Sequence, residues 1–187
     1  MKSSDEEDIL SIQRVLTGDT RAYAFLVTKY ERRLRSYCRS RLPDSEVDDT
    51  VQDIFIKAFR SLSGFRLGRG FSPWLFTIAL NSIASKKHRF RNEEDKRARF
   101  IAENRDVHAM NEGMDKLESD FLLKAVGALP RGYRDVVELY YLGELDTEQT
   151  AEALGIGLEA VKTRLFRARK LLREMLENGN RSGSQGV

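Results

Sequence analysis

The residues best equipped for chemistry in this chain are cations, and they are concentrated. Between Ala160 and Arg173 there is no carboxylate, whereas Lys162, Arg164, Arg167, Arg169, Lys170 and Arg173 are basic. Thr163 and Phe166 stand among them. On the N-terminal half of a helix, Lys162, Arg164 and Arg167 suit guanine edges or phosphates, and Thr163 or Phe166 suits a thymine methyl. A second basic run, Lys86, Lys87, His88, Arg89 and Arg91, lies earlier in the chain, and an acidic start (Asp5, Glu6, Glu7, Asp8) offsets both. The net charge of +3 is therefore uninformative by itself. Local patches, not the average, attract a polyanion.

No catalytic set stands beside these cations. Cys38 is the single cysteine, so an internal disulfide is excluded and a structural zinc site is not expected. His88 and His108 have no ligand spacing and read as surface histidines. There is no Walker loop, and Gly68-Arg69-Gly70 is not a dinucleotide fingerprint. The expectation is a protein that is not an enzyme, with neither metal nor cofactor. No apolar signal core or run of membrane-spanning length is present, which points to the cytoplasm without membrane insertion.

The elements that must position these residues read as helices. Proline is scarce, and apolar residues recur at three and four. Ile9, Ile12, Val15 and Leu16 mark a first helix ended by Gly18, with Asp19 as the expected cap of the next. That helix carries Ala22, Phe25, Leu26, Tyr30, Leu34 and Tyr37; the third, after Pro43, carries Val47, Val51, Ile54, Phe55, Ala58, Phe59 and Leu62. A glycine-punctuated loop, 63–70, precedes a fourth helix with Pro73 in its first turn and Trp74, Leu75, Ile78, Ala79 and Ile83 along it. Residues 1–91 form one expected domain, 92–112 a linker, 113–178 a second domain and 179–187 a disordered tail. In the second domain Leu117, Phe121, Leu122, Ala125 and Leu129 form one stripe, and Tyr133, Val136, Val137, Tyr140 and Tyr141 another. Asp146 and Gln149 resemble a capping box opening a short helix, Gly155-Ile156-Gly157 is a tight turn, and a longer helix follows from Leu158. Its inward stripe is Val161, Leu165, Ala168 and Leu172. Short helix, glycine turn and longer helix make a helix-turn-helix, whose second helix enters the major groove. A solvated face with no partner would mix charge signs, and this one does not.

The first domain resembles a known family. Gly18-Asp19-x-x-Ala22-x-x-x-Leu26-x-x-x-Tyr30 is followed by Asp49-x-x-Gln52-Asp53-x-Phe55-x-Lys57-Ala58. Phe65-Arg66 and Phe71-x-x-Trp74-Leu75-x-x-Ile78-Ala79-x-Asn81 come next. This order resembles region 2 of the extracytoplasmic-function (ECF) sigma factors, and the helix-turn-helix resembles their region 4. The resemblance implies an all-α chain of two small helical domains that binds core RNA polymerase and promoter DNA. It implies that Asp49, Gln52, Asp53 and Ile56 dock on the clamp helices of the largest polymerase subunit, and that the flap of the second-largest subunit is a further contact. It implies that Phe65, Arg66, Trp74 and Asn81 capture the −10 element, with Lys86 and Lys87 on phosphates. Trp74 is expected to be partly core, and Phe65 and Asn81 to make the direct contacts. Lys162, Thr163, Arg164, Phe166 and Arg167 would read the −35 element, and an anti-sigma factor would regulate the whole.

The layout fits that division. The −35 and −10 elements lie about two helical turns apart, at roughly 34 Å per turn. A flexible linker of some twenty residues averages roughly 25 Å and stretches to about 70 Å. The chain departs from the family at Gly157, where a capping Ser or Thr is usual, and at Thr150, where a larger aliphatic is usual. The competing reading is a stand-alone helix-turn-helix regulator binding an operator as a dimer, which leaves the first domain without a purpose.

Overall fold

The computed structural model describes residues 3–103 and 119–183, and among these the chain is helical. Helix α1 (Ser3–Leu16) leads through a turn at Gly18, whose φ of +107° only glycine adopts without strain, and a short 3-10 turn into α2 (Tyr23–Arg39). Pro43 starts α3 (Asp44–Ser61), and the 63–70 loop delivers the chain to α4 (Phe71–Glu103). Leu26, Tyr30, Leu34 and Tyr37 of α2 meet Val51, Ile54 and Ala58 of α3 and Leu75, Phe76, Ala79 and Ile83 of α4 in one core. Burial of each such side chain is worth about 1.5–3 kcal/mol, which no individual helix would obtain alone. Asp8 is fully buried where α1 crosses α2; the Tyr30 hydroxyl and the Lys29 ammonium each donate to it at 2.5 Å. One of the acidic residues of the N-terminal run is thus an internal staple, not a solvated charge.

The second core is smaller. Helices α5 (Ser119–Ala128), α6 (Arg131–Tyr141), α7 (Thr147–Leu154) and α8 (Leu158–Gly183) enclose Val126, Leu129, Val136, Val137, Ala151, Val161, Leu165 and Ala168. The expected capping box is present: Gln149 N–H donates to Asp146 Oδ1 at 2.8 Å, and Asp146 N–H to Gln149 Oε1 at 3.2 Å. Gly155 ends α7 in the left-handed region, φ +63°. The two domains are in contact. Leu139, Leu145 and Ala153 of the second domain belong to the core of the first, and α7 lies along α4.

Several expectations require correction. Helix α4 runs on to Glu103, through half of the stretch read as linker, because 92–103 is rich in Glu, Lys, Arg and Ala and lacks proline and glycine. Leu117 lies outside the described residues. Asp19 does not cap the following turn with its side chain; it takes Arg14 instead, at 2.6 Å. Phe25 and Phe59, assigned to inward stripes, are 41% and 40% exposed. Helix α8 continues to Gly183, past the expected start of the tail at 179.

Candidate nucleic-acid interface and docking faces

On α8 the helical period separates two jobs cleanly. Val161, Leu165 and Ala168 are buried against α6 and α7. Thr163, Phe166 and Arg167 therefore face outward, and Phe166 is 71% exposed, an unusual place for a phenylalanine without a partner. Arg167 makes no ion pair among the described residues. Lys162 pairs with Glu159 at 2.7 Å on the first turn of α8, and Arg164 is half-buried against Gly132 at the start of α6. Behind the helix, Arg169 donates to the Tyr141 hydroxyl at 2.9 Å and lies over the rings of Tyr140 and Tyr141. Tyr140 packs on the core as expected, whereas Tyr141 is half exposed.

The loop and α4 form a different kind of surface. Phe65, Phe71 and Trp74 build an aromatic cluster, with Phe65–Trp74 centroids 5.3 Å apart and Phe65–Phe71 centroids 5.9 Å apart; Tyr30 closes it from α2. Phe65 is only 7% exposed and Trp74 is half-buried, so the accessible ring is Trp74, the reverse of the order expected from sequence. Arg66 and Asn81 are exposed. Lys86 is turned inward: it pairs with the Glu46 carboxylate and donates to the Thr50 hydroxyl at 2.9 Å, tying α4 to α3. Lys87 stays accessible, and its pKa falls below the usual lysine range through burial, with Arg41 and Arg134 lowering it and Glu138 and Asp135 partly offsetting them.

Asp49, Gln52, Asp53 and Ile56 share the outer face of α3, and all are exposed. Asp53 is held by Lys57 at 3.4 Å, an i,i+4 pair. Gln52 and Ile56 continue into an apolar groove of about 620 Å³ between α2 and α3, walled by Tyr23, Val27, Phe55 and Phe59. Tyr23 is fixed there by its hydroxyl on the Phe55 carbonyl at 2.8 Å and by edge contact with Phe59 at 5.0 Å. Sequence reasoning missed Phe59 as part of this face. The signal was available, because Phe59 follows Ile56 by three and so shares its side of the helix.

The Sigma-70 region 2 family model matches residues 26–93, and the Sigma-70 region 4 model matches residues 122–172. The chain is 31% identical over 183 residues to the ECF RNA polymerase sigma-E factor of Haemophilus influenzae, covering 89% of this chain and 92% of that protein. It is also 31% identical over 190 residues to the RNA polymerase sigma factor CnrH of Cupriavidus metallidurans, covering 95% and 97% respectively. The solved structure of CnrH in complex with the cytosolic domain of CnrY superposes with a TM-score of 0.70 at 29% identity, covering 92% of this chain and 98% of that one. Both halves match in order, which a stand-alone operator-binding regulator would not explain. The chain belongs to the extracytoplasmic-function family of RNA polymerase sigma factors, and it is an alternative sigma factor that directs RNA polymerase to promoters.

Proposed function

We propose a division of labour between the two domains, 1–91 and 113–178, during promoter recognition. Helix α8 enters the major groove of the −35 element and reads it through Lys162, Thr163, Arg164, Phe166 and Arg167. The α4 side takes the −10 element. Unstacking bases there costs a few kcal/mol per step, and a base held on an aromatic surface returns about 1–3 kcal/mol. Trp74 offers that surface, Phe65 sits in the cluster behind it, Asn81 and Arg66 supply hydrogen bonds, and Lys86 and Lys87 meet phosphates. Lys86 must first leave Glu46. Asp49, Gln52, Asp53 and Ile56 dock on the clamp helices of the largest polymerase subunit, where charge steers and the apolar groove beside Ile56 holds. The flap of the second-largest subunit takes the second domain. An anti-sigma protein regulates the whole; a relative, CnrH, has been solved in complex with the cytosolic domain of another protein, CnrY. The protein works in the cytoplasm, catalyses no reaction and needs no cofactor; among the described residues no helix is long and apolar enough to cross a membrane.

The observation that carries this reading is the outward face of residues 160–173 of α8, free of carboxylates and exposed beside the buried Val161, Leu165 and Ala168. Transcription from a randomised promoter library with bacterial core polymerase tests it. Selection of a two-part sequence with a fixed spacer is the expected result. Tight binding of a palindrome by the protein alone, without start-site selection on core enzyme, overturns it. Asp53→Arg is expected to weaken core binding at least about tenfold, since a misplaced like charge in an interface costs several kcal/mol; unchanged affinity removes the docking face.

A further inference from the structure

Between α4 and α6 the two domains enclose a groove of about 790 Å³, much of which promoter reading does not use. Its chemistry is lopsided. Arg41, Lys87, Arg91, Arg131 and Arg134 surround it, and among the described residues Asp135 is the one carboxylate in its wall. Arg41 already occupies that carboxylate, donating to Asp135 at 2.7 Å and to Glu138 at 2.5 Å. Arg131 keeps only a long contact with Asp135, at 3.7 Å, and its side chain is exposed. Arg134 places one nitrogen on the carbonyls of Gly127 and Leu129, and its buried Nε has no hydrogen-bond partner among the described residues. Lys87 and Arg91 make no ion pair among the described residues. Burial first, with Arg41 and Arg134 adding to it, holds the Lys87 ammonium below the usual lysine range, and Glu138 and Asp135 do not offset this in full. The groove is short of negative charge.

The rest of the wall narrows what can supply that charge. Leu80, Ile83, Phe90 and Leu154 give the groove an apolar side, and Phe90 and Leu154 are held there by packing against the core. Asn81 adds an amide, which both donates and accepts. A bare phosphate uses the cations and leaves the apolar side wet, whereas a fatty acid covers the apolar side and leaves most of the cations unpaired. A DNA duplex is too wide for the enclosure. Its volume is that of a small-molecule site, about 300–1,000 Å³, a class that favours domain junctions and apolar walls with a few convergent polar groups. Guanidinium groups take phosphate through paired N–H donors. Flat bases lie on aromatic side chains, and an Asn amide matches the donor and acceptor edge of adenine. One small molecule carries all three features.

We propose that this groove binds a nucleoside triphosphate, with Lys87, Arg91, Arg131 and Arg134 on the phosphates, Phe90 against the base and Asn81 on its edge. The site draws on both domains, since Arg131 and Arg134 belong to α6 and the other four residues to α4. A bound nucleotide occupies Asn81 and Lys87, so it also competes with the promoter strand for them. That consequence rests on the −10 assignment above; the site itself does not.

Equilibrium dialysis of the full-length chain against ATP, inorganic tripolyphosphate and adenosine tests the site. ATP is expected to bind saturably, one per chain, with a Kd below about 1 mM. Tripolyphosphate, which lacks the base, and adenosine, which lacks the phosphates, are each expected to bind at least about tenfold more weakly. Arg91→Glu with Arg131→Glu, both exposed, is expected to weaken ATP binding at least about tenfold. Arg60→Glu with Lys170→Glu makes the same change in net charge away from the groove and is expected to alter it less than about twofold. An equal loss in the two double variants overturns the site, because binding then follows overall charge. Equal affinity for ATP and tripolyphosphate overturns the nucleotide. If ATP never saturates the chain, while Arg91→Glu with Arg131→Glu weakens binding of a fluorescent single-stranded 20-mer, the groove is a strand path and the proposal falls. On the unaltered chain ATP is expected to displace that 20-mer; saturable ATP binding without displacement overturns the competition alone and counts against the −10 assignment, not against the site.

Discussion

The two helices read as nucleic-acid surfaces differ in what already occupies them. On α8 the outward residues Thr163, Phe166 and Arg167 meet solvent, and the pair between Lys162 and Glu159 stays within the first turn. On α4, Thr77 is bonded to α7, Lys86 to α3, and Phe65 is sealed in an aromatic cluster. Reading a duplex asks only that side chains be displayed rigidly in the groove. Opening one asks for a surface that binds when the strand has parted and stays covered otherwise. The second domain is thus a ready tool, and the first is a guarded one.

The largest expected effect separates the two domains by stability. A core as small as that around Leu165 supplies only about 3–5 kcal/mol in total, and Leu165→Ala removes about 2–5 kcal/mol of it. Hydrogen exchange is expected to show α6, α7 and α8 losing protection while α2 and α3 keep theirs. Equal loss in both would mean that the packing of Leu139, Leu145 and Ala153 into the first core makes one cooperative unit. Next in size is Arg167→Ala, which leaves the fold intact and removes about 1–3 kcal/mol of discrimination at the upstream element. In a promoter-library selection the −35 preference is expected to relax at one position and the −10 preference to stay. A change confined to the −10 side would reverse the assignment of the two surfaces.

How much was legible in the sequence follows the same divide. The helix-turn-helix was readable because each of its signals is local: Asp146 with Gln149, Gly155, and the three-and-four spacing of Val161, Leu165 and Ala168. The order of helices in the first domain was equally plain from periodicity. What stayed hidden depends on chain remote in sequence. Phe59 reads as one more member of the apolar stripe until Tyr23 of α2 meets it at the rim of the groove, where it stays 40% exposed beside Ile56. Lys86 looks like its neighbour Lys87 until α3 brings Glu46 beside it. Arg41 meets Asp135 and Glu138 across some ninety residues, and nothing local marks either end. Helix α4 was cut short for the opposite reason, because a search for apolar spacing misses a helix carried by propensity alone.

A smaller change sharpens the contrast from within the second domain. Thr150 is fully buried on α7, and its hydroxyl has no hydrogen-bond partner among the described residues. Valine has nearly the same shape, so Thr150→Val removes the unpaired group without opening a cavity and is expected to add about 1 kcal/mol. For a domain of this size that is a rise in Tm of about 4–8 °C, confined to the second transition in a calorimetric scan. A fall in Tm would mean that the hydroxyl is satisfied in solution, and that the departure from an aliphatic at this position carries no cost.

The smallest effect concerns acidity and the contact of Arg41 with Glu138 and Asp135 between the two domains. Burial raises the Glu138 carboxyl above the usual carboxylate range even with Arg41 against it, and one of its oxygens has no partner among the described residues. Arg41 is raised as well, but with the opposite effect on its charge: burial would lower it, and Tyr37, Glu138 and Asp135 together outweigh that and hold the guanidinium protonated. One cation is shared between two carboxylates, so the guanidinium is well compensated and Glu138 is not. The remaining charge facing Glu138 comes from Lys87 on α4 and Arg134 on its own helix. Once the domains part, Glu138 meets water and returns to about 4.3. The closed form therefore holds the Glu138 proton more tightly than the open one. Its contribution to closure is complete below the ordinary carboxylate value and is lost as pH rises through the closed-state value. Small-angle scattering between about pH 5 and about pH 7.5 is expected to show the protein more compact at the acidic end, with Glu138→Gln abolishing the trend. Greater compactness at the alkaline end would mean that the ionised pair is itself the stronger fastening, and that opening by polymerase must overcome Arg41 and Glu138 as a fully charged couple.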